Sequence, residues 1–248
     1  MNVLVLAAGE VPTSGPFAYP LWLAEVEGRL VLDRQIALLS AGDEAKYTYA
    51  FRENDIADRH VDRIAEQLTP GARIISIGAT TAGAACTALL ALAAVDPDEE
   101  LIIASATDHV EVDFGEMRSS FRSRSADAGI VSFESLHPRY SFVRMDAEGW
   151  VVEAAEKNPI SRHANAGLYW FARGGDFLDS VKKMILKDGH LGGVFYICPS
   201  LNEMVLAGKR VAVGKIAPGD YFPLKEAGQL QSLQNELLRR RSDAARQT

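Results

Sequence analysis

The chain has 248 residues, 48% of them hydrophobic, so it can bury a sizeable core as one α/β domain or two small ones. Its net charge of −7 argues against broad contacts with a nucleic-acid backbone. No apolar run reaches the roughly 20 residues that a membrane helix requires. We therefore expect a cytoplasmic protein with no nucleic-acid partner and no membrane span.

The N-terminus predicts a buried strand. Residues 2–8 are a continuous apolar run that ends at Gly9, which is typical of a strand covered on both faces in a parallel sheet. The run resembles the start of a signal peptide, but it lacks a basic region and is broken by Gly9 and Pro12. Residues 9–20 then carry Pro12, Gly15 and Pro16, which predicts an irregular loop.

Helical periodicity and apolar runs alternate over the next ninety residues. The predicted helices cover residues 30–40, 56–67 and 80–94, and the predicted strands cover residues 47–51, 72–77 and 101–105. Alternation of this kind predicts right-handed crossovers and a Rossmann-like, mainly parallel sheet. Ligands of such sheets bind at the carboxyl ends of the strands.

The second half of the chain has a different pattern, in which short strands are separated by turn residues. The predicted strands are 129–134, 140–145, 151–155 and 168–171, and the predicted helices are 177–187, 199–207 and 230–241. We expect antiparallel additions to the central sheet. One domain would then span residues 1–230, followed by a C-terminal helix and basic tail at 231–248, whose arginines indicate a solvated helix end rather than a binding patch.

Leu6-Ala7-Ala8-Gly9, at the end of the first strand, is the first candidate site. Its small side chains allow a planar ring or a phosphate to approach the backbone N–H groups. Many α/β proteins have such a strand end without a ligand, so the segment alone does not decide between binding and structure.

Gly78 to Ala85, between the third strand and its helix, is the second candidate. With Gly83 near the helix start, free N–H groups and the helix dipole would suit an anion or the edge of a nucleobase. Thr80 or Thr81 could instead cap the helix.

Asp108 is the third candidate, because it follows an apolar strand. A carboxylate at that position can hold Mg²⁺ where substrate phosphates supply further oxygens. A turn or helix cap is the alternative. The adjacent His109 reads as a neighbour rather than a ligand.

Glu156-Lys157 and the nearby Asn165, Gly167 and Tyr169 form the fourth candidate. The acid can accept hydrogen bonds from sugar hydroxyls while the lysine holds a phosphate. An ordinary surface ion pair is the alternative interpretation.

Taken in order, these segments resemble the nucleotide-sugar pyrophosphorylases, especially the capsular-polysaccharide and glucose-1-phosphate nucleotidyltransferase branch, from Met1 to about Leu230. The matching segments are Leu6-Ala7-Ala8-Gly9, Glu25 to Arg29, Thr80 to Ala85, Asp108, Glu156 to Ser161, Gly167-Leu168-Tyr169 and Phe195 to Asn202. The resemblance implies that the first and third of these, including Thr80, Thr81 and Gly83, hold the nucleotide. It also implies that Asp108 binds Mg²⁺, and that Glu156, Lys157, Asn165, Gly167 and Tyr169 seat the acceptor.

The chain departs from that family pattern in its first loop. The pattern has a basic residue after the initial glycine and then Pro-Lys, whereas residues 10–16 contain no Arg or Lys and Pro20 is followed by Leu21. The second metal-binding acid would fall near Pro223, with Asp220 close by. Arg29, Lys46 and Arg52 are the candidates for replacement charge, although each could be an ordinary surface residue.

Three functions follow as hypotheses. The first is an enzyme that joins the nucleoside monophosphate of a nucleoside triphosphate to a sugar 1-phosphate or similar small phosphate, releasing pyrophosphate, with Asp108 and Lys157 as catalytic residues and Mg²⁺ as cofactor. The resemblance places such an enzyme in surface-polysaccharide precursor synthesis. The others are a non-catalytic binding protein of the same fold and a related glycosyltransferase. Asp108-His109-Val110 lacks the Asp-x-Asp motif common in glycosyltransferases. The sequence leaves the nucleobase, the acceptor and the oligomeric state open.

Overall fold

The structure is a computed structural model that describes residues 1–9, 19–40, 44–78, 80–93 and 95–247. The loop that the sequence predicts over residues 9–20 lies mostly outside these residues. Within the described part of the chain, no helix is both long and apolar enough to cross a membrane.

The strands and helices alternate as the sequence predicts in the first half. The strands are β1 (Asn2–Ala7), β2 (Glu25–Val26), β3 (Arg29–Leu30), β4 (Lys46–Arg52), β5 (Arg73–Ile77), β6 (Leu101–Ser105), β7 (Asp108–Val110), β8 (Ala128–Glu134), β9 (Ser141–Met145), β10 (Val151–Glu156), β11 (His163–Phe171), β12 (Val211–Lys215) and β13 (Tyr221–Pro223). The helices are α1 (Val31–Ser40), α2 (Glu53–Arg59), α3 (Val61–Leu68), α4 (Ala84–Leu92), α5 (Phe114–Ser123), α6 (Gly174–Leu186), α7 (Ile197–Leu206) and α8 (Ala227–Gln247).

The central sheet combines a parallel half with antiparallel additions. Within the described residues its order is β10-β9-β11-β6-β1-β4-β5, with β8 beside β11 and β12 beside β8. β6, β1, β4 and β5 are parallel, whereas β11 runs antiparallel to β6 and β8. The predicted fold class, a Rossmann-like α/β sheet with antiparallel strands in the second half, is therefore confirmed.

This topology gathers chain segments at one edge of the sheet. The carboxyl ends of the parallel strands β1, β4, β5 and β6 meet there, because parallel strands end on the same side. The antiparallel β11 passes the same edge with its N-terminal half. β7 continues from β6 and pairs with β13, which places Asp108 in register with Pro223.

Two predicted helices differ from the structure. The single helix predicted over 56–67 is wrong, because His60 adopts a left-handed conformation (φ 53°) that divides the segment into α2 and α3. The helix predicted from Thr80 begins at Ala84, since Gly83 has a non-helical conformation with a positive φ of 113° just before the first turn.

The core lies on both faces of the sheet. Along β1, Val3, Val5 and Ala7 face one apolar cluster and Leu4 and Leu6 face the other. A third, smaller cluster holds α8 against the β2–β3 hairpin and the segment after β13; it comprises Leu21, Val26, Val31, Phe222, Leu224, Leu233 and Leu237.

Candidate functional site

A cavity of about 700 Å³ opens at the carboxyl edge of the sheet. Asp108 lies just after β6, and β6 stands between β1 and β11 in the sheet. We therefore describe the cavity as having two ends, one on each side of Asp108. The β1 end contains Leu6, Ala8, Gly9, Arg52, Gly78, Thr80, Thr81 and Gly83, and the β10 end contains Arg139, Tyr140, Glu156, Lys157, Asn165, Gly167, Tyr169, Tyr196 and Lys225.

Nearly every candidate residue from the sequence lines this one cavity. Ala7 is the exception: it is 2% exposed and packs in the core cluster opposite Leu6 and Ala8. Successive side chains of a strand point to opposite faces, so the four-residue segment cannot present all its side chains to one ligand.

Gly83 fixes the start of α4 against the segment before α7. A Cβ at this position would lie 2.4 Å from the carbonyl oxygen of Phe195. That carbonyl accepts a hydrogen bond from Ala85 N at 3.1 Å, and Phe195 N donates to Ala82 O at 2.7 Å. The N–H group of Ala85, in the first turn of α4, is therefore already used within the protein. It is not free to bind an anion, although the sequence predicts free N–H groups at this helix start.

The two threonines before α4 do not cap it. The N-cap position is Gly83 and has no side-chain hydrogen bond. Thr81 Oγ1 instead lies 2.6 Å from Thr87 Oγ1 and donates to Gly83 O at 3.2 Å, which ties the loop to the first turn of the helix. Thr80 is exposed at the β1 end of the cavity.

Of the three candidates for replacement charge, Arg52 alone reaches the cavity. Arg29 pairs with Asp33 at 2.7 Å and Lys46 pairs with Glu99 at 2.6 Å. Arg52 Nε donates to Ala8 O at 3.0 Å and lines the β1 end.

Leu21 occupies the position where the resemblance places a lysine. Its side chain is 3% exposed and belongs to the cluster beneath α8. This segment is therefore part of the apolar packing of the protein and offers no cation to the cavity.

Asp108 is half-buried and is held on both sides. The hydroxyl of Tyr221 donates to Asp108 Oδ1 at 2.5 Å. Tyr221 is itself buried, with its ring stacked on Phe133 at a centroid distance of 4.4 Å. On the other side lies Gly167 (φ 76°), where a Cβ would be 3.2 Å from the Asp108 carboxyl group. The carboxylate is thus fixed in position at the middle of the cavity.

The residues around Asp108 can hold a magnesium ion through a single carboxylate. Pro223, in register with Asp108, has no ligand to offer, and Asp220 is paired with Arg240. No group of three His, Cys, Asp or Glu side chains suited to a metal occurs among the described residues. Mg²⁺ commonly binds through one or two carboxylates plus phosphates and water. Asp108 would supply the one carboxylate, and phosphate oxygens and water would supply the remaining ligands.

The β10 end contains the predicted acid and base. Burial raises the pKa of Glu156 despite a hydrogen bond from Ser141 and the neighbouring charges of Lys157 and Lys225. Lys157 Nζ donates to the hydroxyl of Tyr196 at 2.8 Å, and this contact raises the pKa of Lys157. The two side chains therefore do not form a simple surface ion pair.

Asn165 places a free donor in the same end of the cavity. Its Oδ1 accepts from Gly167 N at 2.8 Å, which helps to hold the left-handed turn at Gly167. Asn165 is 5% exposed, and its side chain lies beside the buried Tyr169 hydroxyl and Cys198 thiol. Within the described part of the chain, Nδ2 has no partner with good hydrogen-bond geometry. A buried amide without a partner is costly, so this atom is suited to a ligand oxygen.

Several lining residues could not be identified from the sequence. Arg139 and Tyr140 come from the turn between β8 and β9, Tyr221 and Lys225 flank the end of β13, and Tyr196 precedes α7. Two signals were available in the sequence. Tyr196 belongs to the matching segment Phe195 to Asn202, and Tyr221 and Lys225 lie around Pro223, where the family pattern places an acid. The turn that carries Arg139 and Tyr140 has no motif.

The fold is that of the nucleotide-sugar pyrophosphorylases. The chain is similar to the nucleoside-diphosphate-sugar pyrophosphorylase from Vibrio cholerae RC9, with a TM-score of 0.77, 20% identity, and coverage of 95% of this chain and 100% of that one. It is also similar to a UDP-glucose pyrophosphorylase in complex with UDP-glucose, with a TM-score of 0.74, 13% identity and coverage of 96% and 98%.

A third similar structure is a Bacillus anthracis protein assigned as a glucose-1-phosphate thymidylyltransferase, in complex with sucrose, with a TM-score of 0.74, 15% identity and coverage of 94% of both chains. No protein-family model and no curated protein matches the sequence. At these identities the likeness establishes the fold, and the expectation of that fold from sequence is confirmed.

Proposed function

We propose that the protein is a nucleotidyltransferase that joins the nucleoside monophosphate of a nucleoside triphosphate to a sugar 1-phosphate or similar small phosphate. The observation that carries this proposal is the continuity of one cavity. It runs from small residues at the β1 end, past Asp108, to the acid–base pair Glu156 and Lys157. The structures of similar fold include a pyrophosphorylase complexed with UDP-glucose, a ligand that has the same two parts.

The β1 end is the proposed nucleotide site. Ala8, Gly9 and Gly83 have little or no side chain, so a planar base can lie against their backbone. Arg52 would be the cation nearest to this segment, since it is bound to the carbonyl of Ala8.

Asp108 is the proposed ligand of Mg²⁺. When bound, this ion would neutralise phosphate oxygens and so stabilise the charge that develops during phosphoryl transfer. Tyr221 would hold the carboxylate in one orientation through its hydroxyl group.

The β10 end is the proposed acceptor site. Lys157 would bind the acceptor phosphate, and Glu156 and Asn165 Nδ2 would bind its hydroxyl groups. An oxygen of the acceptor phosphate would attack the α-phosphorus in line, forming the new P–O bond as the bond to the β-phosphate breaks and pyrophosphate leaves. The contribution of the protein is to hold the two substrates in this geometry.

A second function, binding without turnover, is favoured by the N-terminal segment. Leu21 is buried where a cation is expected, and residues 10–16 contain no Arg or Lys. One positioned cation can contribute about 10³-fold in rate to phosphoryl transfer. The retained Asp108 and the free donor of Asn165 favour the enzyme.

The proposed nucleotide site is tested by thermal unfolding with each of ATP, GTP, CTP, UTP and dTTP, with and without Mg²⁺. A ligand at about 100 times its Kd should add roughly 2.7 kcal/mol of stability. We expect a Mg²⁺-dependent increase in unfolding temperature with one nucleotide, and loss of the Mg²⁺ dependence in Asp108→Asn. No shift with any of the five would overturn the proposal.

A further inference from the structure

Three cations lie together at the β10 end of the cavity. Arg139, Lys157 and Lys225 all line it, and all three are exposed at its mouth. Within the described residues none of them forms an ion pair with an acid. Elsewhere an acid neutralises the cation directly, as in the contacts of Lys209 with Asp127 and Asp176. In a protein with a net charge of −7, three such cations on one end of a cavity are a local concentration of positive charge.

Backbone and aromatic contacts hold this group together. Lys157 N donates to the carbonyl oxygen of Tyr140 at 3.0 Å, which joins the end of β10 to the turn that carries Arg139. The Arg139 guanidinium lies 4.8 Å from the centre of the Tyr140 ring. Tyr140 in turn contacts Tyr221 edge-on, with a centroid distance of 5.8 Å.

Lys225 lies two residues after the end of β13, the strand that begins with Tyr221. Its backbone N–H donates to Gln229 Oε1 at 2.7 Å at the start of α8, so the residue is fixed where β13 ends. Lys157 and Lys225 both act electrostatically on Glu156, and Arg139 acts on Tyr221. The three charges therefore surround the same part of the cavity.

Two acids share the cavity with these cations, but neither forms an ion pair with them. Glu156 accepts a hydrogen bond from Ser141, and Asp108 accepts one from the Tyr221 hydroxyl. Asn165 Nδ2, buried and unpartnered in the same end, adds a neutral donor. Donors thus predominate where an anionic ligand would enter.

We propose that Arg139, Lys157 and Lys225 form an anion site that binds the phosphate of the acceptor and does so without a divalent cation. Three positive groups match a phosphate with two negative charges, while Asn165 remains available to the hydroxyl groups of the acceptor. The inference rests on the proposed function for the identity of the acceptor. The family pattern has a second metal-binding acid where this chain has Pro223, in register with Asp108. Arg139 and Lys225 would supply the positive charge that a metal ion held by that acid would otherwise provide.

The probe is inorganic phosphate, titrated calorimetrically into the full chain in EDTA and again in Mg²⁺. We expect equal affinity in both buffers. Arg139→Gln and Lys225→Gln should each weaken binding about fivefold, a modest effect because contacts of exposed charges are screened. The affinity for glucose 1-phosphate should fall by a similar factor in each variant. Any affinity for glucose, which has no phosphate, should be the same in the variants and the wild type.

Lys182→Gln is the matched control, because Lys182 is exposed on α6 and does not line the cavity. It should leave phosphate affinity unchanged, and the unfolding temperature of each variant should confirm that it is folded. Wild-type affinity in the Arg139→Gln/Lys225→Gln double variant, or binding that requires Mg²⁺, would overturn the inference and leave the proposed transfer reaction standing. Phosphate binding through these cations in a protein that no nucleotide stabilises would support the anion site and overturn the proposed function.

Discussion

Asp108 is the residue on which the proposed chemistry most depends. Replacing it with Asn keeps the size of the side chain and can retain a hydrogen bond with Tyr221, but it removes the negative charge. We expect Asp108→Asn to lower the transfer rate by about 100-fold or more. Asp220→Asn is the control, because Asp220 pairs with Arg240 outside the cavity. Equal rates in the two variants would contradict the role given to Asp108.

Gly167 provides a second test at the same carboxylate. Gly167→Ala introduces both a left-handed alanine and a Cβ 3.2 Å from the Asp108 carboxyl group. Gly71→Ala introduces the conformational cost alone, because Gly71 has φ 80° and open space around it. Gly71→Ala should lose about 1 kcal/mol of stability, as measured by denaturant unfolding, and Gly167→Ala should lose at least as much.

Only Gly167→Ala should also weaken the Mg²⁺-dependent stabilisation by nucleotide. A loss of that stabilisation in Gly71→Ala as well would mean that conformational strain, and not contact with Asp108, is responsible.

Glu156 is expected to lower the free energy of unfolding, although it belongs to the proposed acceptor site. Burial raises the pKa of Glu156 above the ordinary value for a glutamate, so folding disfavours its ionised form. Below the unfolded-state pKa the carboxyl group is protonated in both states and exerts no penalty. The penalty grows as the pH rises from the unfolded-state pKa to the folded-state pKa, and it is fully present above the latter. Glu156→Gln should therefore unfold at a higher temperature than the wild type at neutral pH, and this difference should disappear in acid.

Thermal unfolding between acid and neutral pH measures this difference. Glu148→Gln, in the exposed turn between β9 and β10, should follow the wild type throughout. A Glu156→Gln variant that is less stable than the wild type at neutral pH would show that the interactions of Glu156 with Ser141, Lys157 and Lys225 outweigh its burial.

Among the secondary-structure elements, α8 tests how the C-terminal segment supports the site. Leu233 lies on the buried side of α8, in the cluster that also contains Phe222 and Leu224 on either side of Pro223. Leu233→Ala should cost about 2–4 kcal/mol of unfolding free energy. Leu238→Ala on the same helix should cost less than about 0.5 kcal/mol, because Leu238 is 45% exposed. Similar losses in both would mean that α8 is not held by this cluster.

Most strands and helices could be predicted because apolar periodicity reports which side of an element is buried. The division at His60 could not, because a left-handed conformation is rare for a residue other than glycine and leaves no pattern in the sequence. The start of α4 is not evident from the sequence because it depends on the contact between Gly83 and Phe195, which are distant in the chain. The short strands β7 and β13 could not be predicted either, because they are defined by their pairing with each other and lie far apart in the sequence.

The candidate site was predictable to a similar extent. Asp108 and Glu156-Lys157 follow strands and match a motif, so their meeting at one sheet edge could be expected from topology. Arg139 and Lys225 lie in turns, and only the folded chain brings them beside Lys157. Ala7 belongs to the same small-residue segment as Leu6 and Ala8, but strand geometry points its side chain into the core on the opposite face.

Across the whole molecule, the distribution of charge matters more than its sum. Arg239 and Arg240 in α8 are paired with Glu236, Asp243 and Asp220, so the basic C-terminal segment is largely neutralised where it lies. The unpaired cations at the β10 end of the cavity contrast with this arrangement. A protein with net charge −7 can therefore present a local anion site without a general affinity for polyanions.

The central claim is that the two ends of one cavity bind two substrates that become joined. The most direct test is to incubate the protein with Mg²⁺, a sugar 1-phosphate and a nucleoside triphosphate labelled in its α-phosphate. We predict label in a nucleotide-sugar, with one pyrophosphate released for each molecule formed and almost none formed by Asp108→Asn. Stabilisation by nucleotide and sugar phosphate without transfer of label, across the panel of five triphosphates, would contradict the enzyme and identify a binding protein.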